Sequence, residues 1–203
     1  MSNKSRQPRR STSEDAPSRE AFLDAAQALL LEEGYGAVTA RRVAVEAGLK
    51  PQLVHYYFAS MDQLFVQLVR RGAAYGRSQL QRALDQPQPL RALWAVSTDP
   101  FVTTLSTEYM AVARHRRAIA DEVADAARQF RIAQHDAFVH ALQRHHVDTG
   151  SMSTGALLLC LEGLARVIVM EGQLGTDTFH DDAVALIEAE LLRLEGPAQE
   201  PDR

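Results

Sequence analysis

Apolar residues recur at helical spacing along most of the chain. The first stripe occupies positions i, i+3, i+4, i+7 and i+8, which share one helix face, and comprises Phe22, Ala25, Ala26, Leu29 and Leu30. Similar stripes continue to Leu194, whereas no segment alternates branched apolar and polar residues as a strand does. The pattern predicts an all-α protein with about nine helices.

Cap and turn residues place three helices close together near the N-terminus. Thr39 can cap the second helix, Gly48 ends it, and Pro51 suits the first turn of the third. The segment from Ser60 to Gln63 reads as a capping box that begins a long fourth helix. Three helices in roughly forty residues, with a tight glycine turn between the second and third, predict a helix-turn-helix.

The third helix and its flanks carry side chains suited to duplex DNA. Amides and cations at the start of such a helix can pair with base edges, while hydroxyl, imidazole and guanidinium donors can bind phosphates. Most arginines are solvated surface residues, so the ordered set rather than any one residue supports the interpretation. The predicted DNA contacts are Thr39, Arg41, Arg42, Lys50, Pro51, Gln52, His55, Tyr56 and Tyr57.

Residues 19–64 resemble the DNA-binding domain of the TetR family of bacterial regulators. The matching stretches are Ala25-Ala26 with Leu29, Glu33-Gly34-Tyr35, Thr39 with Val43-Ala44, Ala47-Gly48-Leu49, Tyr57-Phe58, and Ser60 with Leu64. Three positions depart from the family pattern: Lys50 replaces a capping serine, His55 a phosphate-binding tyrosine, and Met61 a lysine. The resemblance implies a ligand-responsive regulator, by family default a repressor, whose C-terminal domain holds the effector site and the dimer interface.

The predicted organisation has four segments. Residues 1–17 are a basic arm without apolar periodicity, expected to be disordered and either to lie along DNA phosphates or to be a solvated tail. Residues 18–62 form the helix-turn-helix domain, residues 63–195 the helical effector-binding and dimerisation domain, and residues 196–203 a flexible tail.

The last two helices are predicted to form a homodimer interface. The resemblance implies a four-helix bundle across a two-fold axis, and the segment from Leu157 to Met170 has more apolar faces than one chain readily covers. The alternative is that this helix is the centre of its own core. A symmetric dimer matches a near-palindromic operator in double-stranded DNA. The predicted interface residues are Leu158, Leu161, Ala165, Ile168, Val184, Ile187 and Leu191.

The middle helices are predicted to enclose a small hydrophobic or aromatic effector. An apolar pocket with few polar groups is the usual form of such a site, although these residues are also ordinary core residues. The predicted lining comprises Trp94, Phe101, Thr104, Tyr109, Met110, Phe130, Gln134, Phe138 and Met170.

Composition argues against other classes of protein. The 203 residues carry a net charge of −4, and residues 1–60 hold eight basic and seven acidic residues, so any DNA contact is local. The single Cys160 lies in an apolar run, the histidines lack metal-ligand spacing, and no nucleophile–base pair or phosphate-binding loop is present. We therefore expect no enzyme activity, no cofactor and no metal site.

No segment has the length and apolarity of a membrane span or a secretory signal, so a cytoplasmic protein is expected. The sequence thus predicts a DNA-binding transcriptional regulator that leaves its operator when an effector binds. The alternative is a helical small-molecule or partner-binding module that does not bind DNA.

Overall fold

The computed structural model describes residues 15–198, and within that range the secondary structure is helical. Nine α-helices follow in the order α1 (Asp15–Glu33), α2 (Ala40–Glu46), α3 (Pro51–Tyr57), α4 (Met61–Leu84), α5 (Pro89–Ser97), α6 (Pro100–His115), α7 (Arg117–Arg144), α8 (Thr154–Gln173) and α9 (His180–Glu195). A single 3-10 turn, Tyr35–Ala37, joins α1 to α2. The predicted all-α fold with about nine helices is confirmed.

The N-terminal end of α1 differs from the prediction. The helix begins at Asp15, so residues 15–17 of the predicted disordered arm are helical. Pro17 lies in the first turn, where its missing N–H removes no intrahelical hydrogen bond. The rest of the arm, residues 1–14, lies outside the described residues, as do residues 199–203 of the predicted tail.

The chain divides into two compact units between Leu68 and Val69. The boundary expected between residues 62 and 63 lies near the start of α4, whereas the first turns of α4 supply core residues to the first unit. In the first unit, Phe22 of α1, Val43 of α2, Val54 of α3 and Phe65 of α4 are almost completely buried.

Local capping explains where the helices of the first unit begin. The Thr39 hydroxyl accepts a hydrogen bond from the Arg42 backbone N–H at 3.4 Å, at the start of α2. At the start of α4, the Ser60 Oγ accepts from the Gln63 N–H at 3.2 Å, while the Gln63 side chain accepts from the Ala59 N–H at 2.6 Å. Both caps satisfy backbone donors that have no partner within the helix.

The second unit surrounds α5, which contacts α6, α7, α8 and α9. Its core brings together residues that are far apart in sequence: Leu80, Leu93, Phe138, Leu158 and Leu191 are all buried in one cluster. No helix of the described residues is both long enough and apolar enough to cross a membrane.

Candidate nucleic-acid interface and internal cavities

The turn between α2 and α3 holds a fixed geometry. Gly48 has a φ of 64°, in the left-handed region that favours glycine, and the Leu49 N–H donates to the Ala44 carbonyl at 2.9 Å. Pro51 then occupies the first turn of α3, and Lys50 precedes it in extended conformation without a side-chain cap. Since α3 is pinned by this turn, its exposed face has a defined direction on the first unit.

The exposed face of α3 carries most of the predicted DNA contacts. Val54 and the following Phe58 are 1% exposed, whereas Pro51, Gln52, His55 and Tyr56 lie on the surface, with Tyr56 57% exposed. Thr39, Arg41 and Lys50 are exposed as well. The structure therefore brings the side chains suited to base edges and to phosphates onto the surface of one small unit.

Two predicted DNA contacts are engaged within the first unit. Both terminal nitrogens of Arg42 donate to the Glu33 carboxylate, at 2.7 Å in one case, and the guanidinium lowers the pKa of Glu33. The Tyr57 ring is partly buried, 5.9 Å from the Phe22 ring and 5.0 Å from the Tyr56 ring between centroids. Arg42 and Tyr57 thus have structural partners within the first unit.

A first internal cavity, which we call the tyrosine cavity, lies within the second unit. It has a volume of about 170 Å³ and is lined by residues of α4 to α8. Its apolar wall includes Tyr75, Tyr109, Met110 and Phe130, and its polar wall includes Gln134. Burial raises the pKa of Tyr109 far above its usual range, so the phenol stays protonated at neutral pH.

Two glycines of α4 allow aromatic rings that line the tyrosine cavity to pack closely on the helix. A Cβ at Gly72 would lie 2.7 Å from Tyr109 Cε2, and a Cβ at Gly76 would lie 2.8 Å from Phe130 Cε2. These distances are shorter than a van der Waals contact, so only glycine permits this approach. The sequence analysis missed both residues, although two glycines four apart within a long helix are a detectable signal.

Sequence reasoning also missed the charged residues of the tyrosine cavity. Arg131 of α7 and Glu162 and Arg166 of α8 belong to its lining. Glu162 and Arg166 stand four residues apart in an otherwise apolar helix, and that spacing was the available signal that they share a face.

A second internal cavity, the leucine cavity, has a volume of about 490 Å³ and lies among α5, α7, α8 and α9. Trp94 and Phe138 line it together with several leucines. Ser97, Gln134 and Glu162 belong to the linings of both cavities, so they form a polar partition between them. No three His, Cys, Asp or Glu side chains of the described residues are grouped so as to hold a metal ion.

Comparison with known proteins supports the interpretation of the first unit. Residues 22–68 match the family model described as bacterial regulatory proteins, tetR family. The HTH-type transcriptional regulator BetI of Rhizobium meliloti (strain 1021) is 40% identical over 52 residues, a match that spans 26% of this chain and 26% of that protein. The likeness in sequence to the tetR family therefore covers the N-terminal helix-turn-helix region.

Solved structures extend the likeness in fold to most of the chain. A TetR transcription regulator from Haloarcula marismortui is 17% identical, with a TM-score of 0.66 over 87% of this chain and 96% of that one. A regulator from Saccharomonospora viridis, crystallised with choline, is 18% identical, with a TM-score of 0.67 over 79% of this chain and 88% of that one. At these identities the likeness concerns the fold, which is a TetR-type domain followed by a helical domain.

The residues predicted for the effector pocket are divided by the structure. Tyr109, Met110, Phe130 and Gln134 line the tyrosine cavity, whereas Trp94 and Phe138, with Gln134 again, line the leucine cavity. The other three lie outside both linings: the Phe101 ring packs against Tyr75, the Thr104 hydroxyl accepts from Gln173, and Met170 is 41% exposed. Six of the nine predicted residues therefore line a cavity, and they are divided between two cavities.

The residues predicted for the dimer interface are also divided. Leu158, Ala165 and Leu191 are buried in this chain, because they form the face of α8 and α9 that packs on the core. Leu161, Ile168, Val184 and Ile187 are half-buried. The apolar side chains that α8 and α9 present to solvent are different ones, namely Leu159, Val167, Met170, Leu186 and Leu192.

Proposed function

We propose that this protein is a homodimeric transcriptional regulator, acting as a repressor, that releases its operator when a small organic molecule binds in the second unit. The observation that carries the proposal is a TetR-type α3 whose apolar face is buried while Gln52, His55 and Tyr56 are exposed. An α-helix with polar side chains on its outer face fits the major groove of DNA.

The exposed residues have distinct proposed roles. Lys50 and Gln52, at the start of α3, contact base edges, because the leading end of a recognition helix enters the groove. His55 and Tyr56 bind phosphates, as do Thr39 and Arg41 of the preceding helix. Pro51 and Tyr57 fix the position of α3, and Arg42 reaches a phosphate only by exchanging its ion pair with Glu33.

The proposed dimer uses the exposed faces of α8 and α9. Leu159, Val167 and Met170 repeat at intervals of eight and three residues along α8, so they share one face, and α9 adds Leu186 and Leu192. Such a face is covered when a second copy packs on it through two-fold symmetry. Two recognition helices then contact the two halves of a near-palindromic operator.

The proposed effector site is the tyrosine cavity. A structural neighbour, the regulator from Saccharomonospora viridis, was crystallised with choline, so a protein of this fold accommodates a small organic molecule. The rings of Tyr109 and Phe130 line the cavity and also contact the α4 backbone at Gly72 and Gly76. A ligand that moves these rings therefore displaces α4, which continues into the DNA-binding unit, provided that it binds the two states unequally.

The first test is selection of duplex DNA by the full chain from a random pool, followed by fluorescence anisotropy on the enriched sequence. We expect a near-palindrome, and affinity about 5- to 150-fold weaker for Gln52→Ala, since one bidentate base contact contributes about 1–3 kcal/mol. Gln143→Ala is the matched control, because Gln143 is an exposed glutamine of α7.

Two outcomes would contradict the proposal. If no duplex is enriched, the protein is a helical binding module that does not act on DNA. If Gln52→Ala and Lys50→Ala bind the enriched duplex as tightly as the unchanged chain does, α3 is not the recognition helix.

A further inference from the structure

Three charged side chains line the otherwise apolar tyrosine cavity. The Glu162 side chain is 14% exposed and accepts a hydrogen bond from the Ser97 hydroxyl. Arg131 lies with its guanidinium 3.7 Å from the Glu162 carboxylate and donates to the Gln134 side-chain oxygen at 2.8 Å. The charge of Glu162 is therefore balanced by Arg131, and one of its oxygens already has the Ser97 hydroxyl as a donor.

Arg166 differs from Arg131 in its surroundings. It follows Glu162 by one turn of α8, is half-buried, and lines the same cavity. Among the residues that the structure describes, it makes no hydrogen bond and no ion pair. A guanidinium that is partly withdrawn from water without a counter-charge is unfavourable, and an anion beside it relieves that cost. The three charges together leave the cavity with one unmatched positive charge.

The size and wall of the tyrosine cavity limit the ligand. Its volume of about 170 Å³ is close to the ~150 Å³ of an apolar cavity that takes up benzene. Tyr75, Tyr109 and Phe130 offer ring faces and edges to which a planar aromatic group packs well. The cavity therefore fits one aromatic ring with a small substituent.

We infer that the ligand of the tyrosine cavity is a monocyclic aromatic carboxylate, with its ring among the tyrosines and Phe130 and its carboxylate on Arg166. This inference rests on the proposed function, in which the tyrosine cavity is the effector site. A guanidinium binds a carboxylate through two parallel charge-assisted hydrogen bonds. An organic cation is disfavoured in this cavity, because it would have to displace Arg131 from Glu162 and would lie beside the positive charge of Arg166.

The test compares three ligands of similar size that differ in charge. Phenylacetate, 2-phenylethanol and phenethylamine are titrated into the full chain without DNA, by calorimetry. We expect phenylacetate to bind about tenfold or more tightly than the other two, since a hydrogen-bonded charge pair contributes about 1.5–3 kcal/mol. Binding of the alcohol or the amine as tightly as the acid, or no binding of the acid at millimolar concentration, overturns the inference.

Variants of Arg166 test whether the carboxylate of the ligand binds to this residue. Arg166→Gln is expected to reduce phenylacetate affinity about tenfold or more, and Arg166→Lys, which keeps the charge, to restore part of it. The matched control is Arg128→Gln, because Arg128 is an exposed arginine of α7 paired with Asp125 at 2.8 Å. Thermal unfolding of each variant shows whether it is folded. A folded Arg166→Gln protein with unchanged affinity and unchanged preference overturns the inference.

Operator release is measured separately by anisotropy. Failure of the inferred ligand class can then be distinguished from failure of the proposed switch. If phenylacetate binds through Arg166 but leaves operator affinity unchanged, the ligand class stands and the proposed switch fails. If the operator is released by a neutral or cationic molecule and not by the acid, the switch stands and the ligand class is overturned.

Discussion

At the scale of single residues, Gly72 and Gly76 are positions where one methyl group changes the site. Both lie within α4, where glycine is ordinarily unfavourable by about 1 kcal/mol relative to alanine. Their retention in a helix interior is explained by the rings of Tyr109 and Phe130, which occupy the space that a Cβ would need. The same contacts place two cavity-lining rings directly on α4.

Alanine at either position is expected to push the ring toward the tyrosine cavity. Gly72→Ala and Gly76→Ala should each lower the free energy of unfolding by about 1–2 kcal/mol relative to Gly172→Ala. This cost is at the low end for overpacking substitutions, because the cavity gives each ring room to move. Gly172 is a suitable control, since it lies in α8 with no heavy atom within 4 Å of its added Cβ. Urea unfolding measures the difference. Equal stability of the three variants would show that the rings do not restrict α4.

At the scale of the elements, the N-terminus of α5 is capped from the far end of the chain. The Glu195 carboxylate, at the end of α9, accepts from the Leu90 N–H at 2.7 Å and the Arg91 N–H at 2.9 Å, and its side chain is 0% exposed. The His145 Nε2 atom lies 3.2 Å from the same carboxylate. Gln88 also donates to the Glu195 carbonyl at 3.0 Å, so these hydrogen bonds join the N-terminus of α5 to the end of α9.

Removing the Glu195 carboxylate should destabilise the second unit. Glu195→Ala leaves buried backbone donors without acceptors, so we expect a loss of about 1–3 kcal/mol in the free energy of unfolding. Glu190→Ala is the control on the same helix, because Glu190 is exposed and pairs with Arg193, and its loss should change stability by less than about 1 kcal/mol. Thermal unfolding of the two variants is monitored by circular dichroism. If Glu195→Ala is as stable as Glu190→Ala, water replaces the Glu195 carboxylate as the acceptor.

The ion pair between Arg70 of α4 and Glu122 of α7 gives a pH dependence. Hydrogen bonds from Arg70, at 2.8 and 2.9 Å, lower the pKa of Glu122 below its ordinary value of 4.5. The stabilisation is therefore present above pH 4.5 and is lost as the pH falls through the lowered pKa. This contribution to stability should be small, since the Arg70 side chain is 59% exposed and water screens the pair.

The measurement compares Glu122→Gln with the unchanged chain in urea at several pH values. The stability difference should be constant near neutral pH and shrink in acid. A difference that grows as the pH falls would contradict the lowered pKa.

At the scale of the whole molecule, the net positive charge that can attract DNA phosphates in the proposed function lies in the N-terminal arm. Residues 15–68 hold four basic and seven acidic side chains, whereas residues 1–14 hold four basic side chains and one acidic side chain. Within the first unit, Arg42 is further neutralised by Glu33. We therefore expect phosphate attraction to depend on the arm.

Replacing Lys4, Arg6, Arg9 and Arg10 by glutamine should weaken operator binding and its dependence on salt. The slope of the logarithm of affinity against the logarithm of salt concentration should fall by about 0.9 for each arm cation that neutralises a phosphate, and so by up to about 3.6. Anisotropy titrations across salt concentrations measure the slope, and thermal unfolding should be unchanged. If the slope is also unchanged, the arm is a solvated tail.

The features that could be predicted from the sequence depend on local interactions. The helices, the Thr39 cap, the Gly48 turn and the Pro51 start follow from interactions within about four residues, which is why the helix-turn-helix and its exposed face could be predicted. The resemblance to the TetR DNA-binding domain could be recognised from the sequence as well, because the matching residues lie in one continuous stretch.

The features that could not be predicted depend on contacts between segments that are distant in the chain. An apolar pattern on all sides of α8 does not show which face the core of the same chain covers. Leu158 and Ala165 are predicted interface residues, and the fold places them in the core of the second unit. Glu162 and Arg166 read as interruptions of an apolar helix until the fold placed them beside Arg131 in a cavity. Side chains on separate helices share an environment through packing, and packing is not a property of any single stretch of sequence.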